Sequence, residues 1–165
     1  GQKCYEVPVG FKHVSAKMTE TGAIIGGESS GGLAVKGHIS GKDGIYAAAL
    51  LVEMLAKTGK KLSELYQEIL DTYGELSYKE ADFTMTPQRK AELQSLLFEK
   101  LACPDFDREI DHISREDGVK TYFKDGSWVI CRFSGTEPLL RMAAEASDAS
   151  VAQGYIDRWK AFLQL

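Results

Sequence analysis

The residues able to do chemistry gather in two short glycine-punctuated segments. These are Gly27-Glu28-Ser29-Ser30-Gly31-Gly32 and Arg132-Phe133-Ser134-Gly135-Thr136-Glu137-Pro138, the second followed by Arg141. Glu28 is a carboxylate that can accept from two neighbouring hydroxyls, with Ser30 placed to orient it, so the first segment suits a polyol. The second sets guanidinium groups and hydroxyls beside glycine-permitted backbone N–H groups. That combination suits a phosphate dianion, which takes a bidentate fork from arginine and N–H donors from a tight turn. Together the segments describe a ligand with sugar hydroxyls at one end and phosphate at the other. Each also has a plainer reading. The first could be a flexible connector, and the second a hairpin turn whose arginines pair with Glu137 or Glu145.

The remaining candidates are sparse. Lys12 and Lys42 could add positive charge to an anion or could simply be solvated. His13, His38 and His112 show no ligand spacing and no carboxylate cluster accompanies them, so no metal site is expected. His38 lies in the glycine-rich stretch, either near a ligand or as a plain loop histidine. No glycine motif opens a helix as a dinucleotide site requires, and no P-loop lysine follows at the needed spacing. The three cysteines (Cys4, Cys103, Cys131) are odd in number and lack CxxC spacing, so they read as buried reduced thiols of a cytoplasmic protein. A net charge of -4 gives no basic field for nucleic acid or an anionic membrane. No apolar run reaches the roughly 18 residues of a membrane span. The 165 residues, 44% of them hydrophobic, suffice for one domain or two small ones. The sequence opens at Gly1, without Met, and is strand-like almost at once, which reads as a cut or processed piece.

The elements that must position these residues follow from periodicity and turn chemistry. Residues 4–9 read as a strand and 11–19 as a helix with Phe11, Val14 and Met18 on one face. Residues 23–25 read as a short buried strand and 26–44 as loop. Asp43 caps a helix in which Ile45, Ala48, Ala49, Val52, Leu55 and Ala56 share a face. Tyr46, Leu50, Leu51 and Met54 make its other side apolar too, predicting burial on most sides. Ser63 caps the next helix, through Leu65, Ile69 and Leu70 to Tyr73. The order indicates an α/β layer, yet two strands are too few for a covered parallel sheet. The first 80 or so residues therefore read as an incomplete α/β domain with its other strands upstream.

Residues 75–85 are extended and polar, as in a crossing between domains. Thr86-Pro87 starts a helix through Leu93, Leu96, Leu97 and Leu101. Asp117-Gly118 and Asp125-Gly126 then punctuate three strands, with 119–124 and 127–133 forming a hairpin. Arg132 shares strand parity with Trp128 and Ile130, so it is expected at the end of a packed face. Residues 139–146 add a strand, and Ser147-Asp148 caps a last helix striped by Val151, Tyr155, Trp159 and Phe162. These elements make a small α+β domain with an antiparallel sheet packed by helices. The predicted domains are 1–82 and 83–165.

Four segments, in order, resemble the α-D-phosphohexomutase superfamily on its phosphoglucomutase/phosphomannomutase side. They are Val9-Gly10-Phe11-Lys12, the Gly27–Gly32 segment, Gly37-His38-Ile39-Ser40-Gly41-Lys42-Asp43-Gly44-Ile45, and the segment from Arg132 to Arg141. The resemblance implies the C-terminal part of a cytoplasmic isomerase of carbohydrate metabolism: the end of the α/β/α domain III, then domain IV. The intact enzyme would interconvert hexose 1-phosphate and hexose 6-phosphate by intramolecular phosphotransfer, through a phosphoserine and a glucose 1,6-bisphosphate type intermediate. It implies sugar contacts at Glu28, Ser30 and Lys12, and phosphate contacts at Arg132, Ser134, Gly135, Thr136, Arg141 and Lys42. Gly32, where many relatives have His, favours a phosphoglucomutase-like type. The family's serine loop and its aspartate-rich magnesium loop have no counterpart in this sequence. The piece is therefore expected to recognise a hexose phosphate while domains I and II supply catalysis and Mg2+. A stand-alone phosphosugar-binding or regulatory module is the rival reading.

Overall fold

The computed structural model describes residues 2–165, and its backbone divides into two compact units, Gly1–Gly74 and Glu75–Leu165. In the first, α1 (Phe11–Thr21) buries Val14. β1 (Ile25–Gly27) and β2 (Leu33–Val35) then pair as an antiparallel hairpin with Gly27 opposite Leu33. α2 (Gly44–Thr58) opens on Asp43, whose carboxylate accepts from the N–H groups of Ile45 and Tyr46, as an N-cap aspartate should. α3 (Leu62–Tyr73) starts one residue before Ser63 could cap it. There Glu64 reaches back and accepts the Lys61 N–H at 2.6 Å, so Lys61 holds the cap position instead.

Several expectations for this unit fail for one reason. Residues 4–9 form no strand, because strand N–H and C=O groups need a neighbour and none of the described residues supplies one. Ile24 and Ile25 are exposed rather than buried, and the hairpin falls inside the stretch read as loop. α2 has no buried residue at all; Ile45 is 86% exposed and Val52 67%. Among the described residues the unit's sheet is only the two-stranded hairpin, too narrow to cover a helix face. Cys4 is exposed as well, whereas Cys103 is half-buried and Cys131 buried; all three are free thiols.

The second unit comprises β3 (Ser77–Thr84), α4 (Pro87–Gln94), β4 (Ile110–Ser114), β5 (Val119–Phe123), β6 (Trp128–Phe133), β7 (Leu139–Ala146) and α5 (Ala149–Leu163). The strands form one antiparallel sheet in the order β3-β7-β6-β5-β4. β3 occupies the segment read as a crossing. It pairs with β7 along its whole length, from Ser77 opposite Ala146 to Thr84 opposite Leu139, so the units part at Gly74 rather than after residue 82. One sheet face supplies Val119, Phe123, Val129, Cys131, Leu140, Met142 and Ala144 to a core completed by Leu93, Leu97, Ile156, Trp159 and Leu163. Thr86 caps α4, its hydroxyl accepting from the Arg89 N–H at 3.2 Å, with Pro87 at the first position. α4 ends in a π-helical turn, Ser95–Glu99, and Leu101, expected on the same stripe, instead lies beyond it in a left-handed conformation (φ 52°) and is 58% exposed. Asp148 caps α5 as its sequence position predicts.

Candidate functional site

The arginine-bearing segment begins where β6 ends. Val129 and Cys131 are the buried residues of β6, so Trp128, Ile130 and Arg132 share the opposite, half-buried face. Arg132 thus lies away from the packed face that parity alone suggested. Sheet register sets Arg132 directly across from Arg141 on β7, and Arg141 across from Asp82 on β3. Two cations in facing positions repel. Arg141 is balanced, because its guanidinium donates to the Glu137 carboxylate and lies 3.8 Å from Asp82 Oδ2. None of the ion pairs among the described residues involves Arg132. The pairing of Arg141 with Glu137 is the surface contact that the plainer reading foresaw; Asp82 could not be found without the register.

The turn between β6 and β7 is held from within. Ser134 is buried; its N–H donates to the Leu139 carbonyl at 2.8 Å, and its hydroxyl accepts from the N–H groups of Glu137 (3.2 Å) and Thr136 (3.4 Å). The Pro138 carbonyl accepts the Met85 N–H at 2.8 Å, fastening the exit of the turn. Gly135 and Thr136 form the exposed tip. Ser134 therefore shapes the turn, whose tip is exposed.

The first segment is the tip of the β1–β2 hairpin, not a flexible connector. Glu28 N–H donates to the Gly32 carbonyl and Gly31 N–H to the Glu28 carbonyl, both at 2.9 Å. Ser29 and Ser30 are exposed there, while the Glu28 side chain retains only 19% exposure. Lys42, expected among the phosphate contacts, has its Nζ 3.0 Å from Glu28 Oε2. Its stem crosses Gly32 so closely that a Cβ there would overlap Lys42 Cδ and sit 3.3 Å from Glu28 Oε2. The same ammonium lies 5.4 Å from the centre of the Phe11 ring, within cation–π range. Lys12, next along α1, is exposed. Glu28, Ser30 and Lys42 belong to the first unit and Arg132, Ser134, Gly135, Thr136 and Arg141 to the second.

His38 has a structural task that sequence did not disclose. Its Nε2 lies 2.8 Å from Asp43 Oδ2 and its ring stacks on Tyr46 with centroids 4.0 Å apart. Asp43 is consequently held below the ordinary carboxylate range, chiefly by the Tyr46 N–H and then by His38. Burial pushes the Cys103 and Cys131 thiols up, which makes them poor nucleophiles. Among the described residues no group of three or more His, Cys, Asp or Glu is placed to hold a metal ion, and no helix is long and apolar enough to cross a membrane.

Comparison with known proteins covers both units. Residues 1–73 match the phosphoglucomutase/phosphomannomutase alpha/beta/alpha domain III, and residues 78–160 match the phosphoglucomutase/phosphomannomutase C-terminal domain. The chain is thus of the phosphohexomutase class and belongs, within it, to the phosphoglucomutase/phosphomannomutase family. It is 34% identical over 160 residues to a phosphoglucomutase/phosphomannomutase of Thermococcus kodakarensis, covering 95% of this chain and 32% of that protein. It is 35% identical over 159 residues to a phosphoglucosamine mutase of Lacticaseibacillus casei, covering 96% of this chain and 31% of that protein. A crystal structure of a phosphoglucomutase/phosphomannomutase family protein from Burkholderia thailandensis shares the fold, with a TM-score of 0.67 at 24% identity, over 94% of this chain and 31% of that one. The chain spans about a third of the length of the relatives it matches.

Proposed function

We propose that this chain supplies sugar and phosphate recognition to a phosphohexomutase that interconverts hexose 1-phosphate and hexose 6-phosphate through a phosphoserine and a hexose 1,6-bisphosphate. The observation that carries this reading is the asymmetry at the end of β6. Arg141 has two carboxylate partners, whereas Arg132 across the strands has none among the described residues. A phosphate dianion there relieves the repulsion between the arginines and accepts a bidentate fork from Arg132. Gly135 and Thr136 add donors from the exposed tip. Ser134 and Arg141, already engaged, hold the turn in shape. At the hairpin, Glu28 and Ser30 read hexose hydroxyls, with Lys42 paired to Glu28 and Lys12 a further sugar contact. The phosphoserine and magnesium are assigned to the domains that the relatives possess beyond this match. Among the described residues no cluster fits the metal, and no step is routed through it.

Amide shifts in an isotope-labelled chain test each loop by itself. Inorganic phosphate should move residues 134–136, and glucose should move residues 28–32. Arg132→Ala should weaken the phosphate response roughly 10- to 100-fold, equivalent to about 1.5–3 kcal/mol for a hydrogen bond to a charged group. Unmoved turn amides at saturating phosphate would remove the assignment.

A further inference from the structure

We infer that Gly118 is a positioning residue for Arg132, keeping the strand beneath the phosphate turn where the anion needs it. This rests on the phosphate reading of that turn.

One sheet carries two Asp-Gly turns. Gly118 leads into β5 and Gly126 joins β5 to β6. Their φ angles are nearly the same, +86° and +85°, in the positive range where any L side chain costs energy. Their surroundings differ completely. A Cβ built on Gly126 meets nothing within 4 Å. A Cβ built on Gly118 overlaps Arg132 Cβ, stands 2.5 Å from the Cys131 carbonyl oxygen and 2.8 Å from Arg132 Cα. Two of those three neighbours are backbone, so the clash cannot be relieved by swinging a side chain aside.

Register explains the closeness. Val119 pairs with Cys131, and Gly118 precedes Val119 just where Arg132 follows Cys131. Arg132 therefore has Arg141 on one flank and bare glycine backbone on the other. A side chain at 118 pushes Arg132 and the start of the phosphate turn together. Ser134, two residues on, organises that turn through its own hydrogen bonds, so a shifted β6 end misdirects the tip as well as the guanidinium.

Phosphate binding separates this role from an ordinary turn glycine. Gly118→Asn and Gly126→Asn both ask asparagine, which tolerates left-handed backbone, to replace glycine. Gly126→Asn should lower the melting temperature little, and Gly118→Asn, which meets backbone, by more. Only Gly118→Asn should raise the Kd for inorganic phosphate, at least fivefold, and displace the Arg132–Thr136 amides in the free chain; Gly126→Asn should stay within twofold of the parent. Gly118→Ala, with the smaller side chain, should show the same selectivity. Equal phosphate affinities in folded Gly118→Asn and the parent, or equal losses in both Asn variants, overturn the inference. An Arg132→Ala chain that binds phosphate as well as the parent ends the phosphate reading itself, and this inference with it.

Discussion

α2 in the first unit and α5 in the second are each 15 residues long, and each opens on an aspartate that accepts from two backbone N–H groups of its first turn. α5 buries Ala152, Tyr155, Ile156, Trp159 and Leu163; α2 buries nothing. Composition does not explain the contrast, since α2 is rich in Ala and Leu. What differs is the sheet available to each unit, five strands against a two-stranded hairpin. A cap and good propensity begin a helix, but tertiary packing of a face supplies most of its stability. The second unit closes its core, and the first displays a helix whose apolar residues are exposed or half-buried.

The sharpest way to break this comparison is to cut into both helices. Trp159→Ala should cost about 3–5 kcal/mol, as for other fully buried aromatics, whereas Leu51→Ala on α2, 49% exposed, should stay within about 0.5 kcal/mol. Urea melts followed by Trp128 fluorescence and by helical circular dichroism would show it; similar costs would mean that α2 is packed after all. A smaller effect, about 1 kcal/mol, is expected for Thr86→Ala, which removes the cap of α4, and the same melts measure it.

Acid titration sharpens the contrast further. Asp43 and Asp148 both sit below their ordinary value of 3.8, Asp43 chiefly through the Tyr46 N–H and Asp148 chiefly through the Ser150 hydroxyl. Because the folded value is the lower one, each cap is fully effective above 3.8 and is lost as pH falls through the folded value. α2 should then fray while α5, gripped by its core, holds. Amide exchange in the two helices between pH 5 and pH 2, about the range over which such carboxylates protonate, should separate them; simultaneous fraying would contradict the packing argument. The least perturbing test is a thiol reagent under native conditions. Cys4 should react first and Cys103 slowly, while Cys131, buried and with its thiol pushed up, should react only on unfolding.

The second unit was largely legible in sequence because its signals are local. Asp125-Gly126 between alternating strands, Thr86-Pro87 and Ser147-Asp148 each fix an element without help from afar. The sequence of β3 shows it as extended but not as paired. Its inward residues are Ser77, Lys79, Ala81 and Phe83, too polar to show an apolar alternation, and its place beside β7 is a long-range fact. The first unit misled because apolar content was read as burial, and burial needs a neighbour. At the candidate site, residue types and spacing single out Glu28, Arg132 and Ser134 as candidates. They could not show that Lys42 lies on Glu28, that Asp82 flanks Arg141, or that Gly118 abuts Arg132, since each depends on strand register or loop closure.

The Lys42–Glu28 contact gives the hairpin tip its own counter-ion. On the proposed reading, a neutral hydroxyl approaching Glu28 competes with an ammonium group already seated there. Dissolved salt screens that internal attraction and equally screens the pull of Arg132 on phosphate. Ionic strength should therefore act with opposite sign on the two loops, favouring hexose at the hairpin while disfavouring phosphate at the β6–β7 turn. Titrations at about 0.1 M and about 1 M salt, across which the screening length shrinks roughly threefold, would reveal the divergence, and parallel trends would show that Lys42 does not compete.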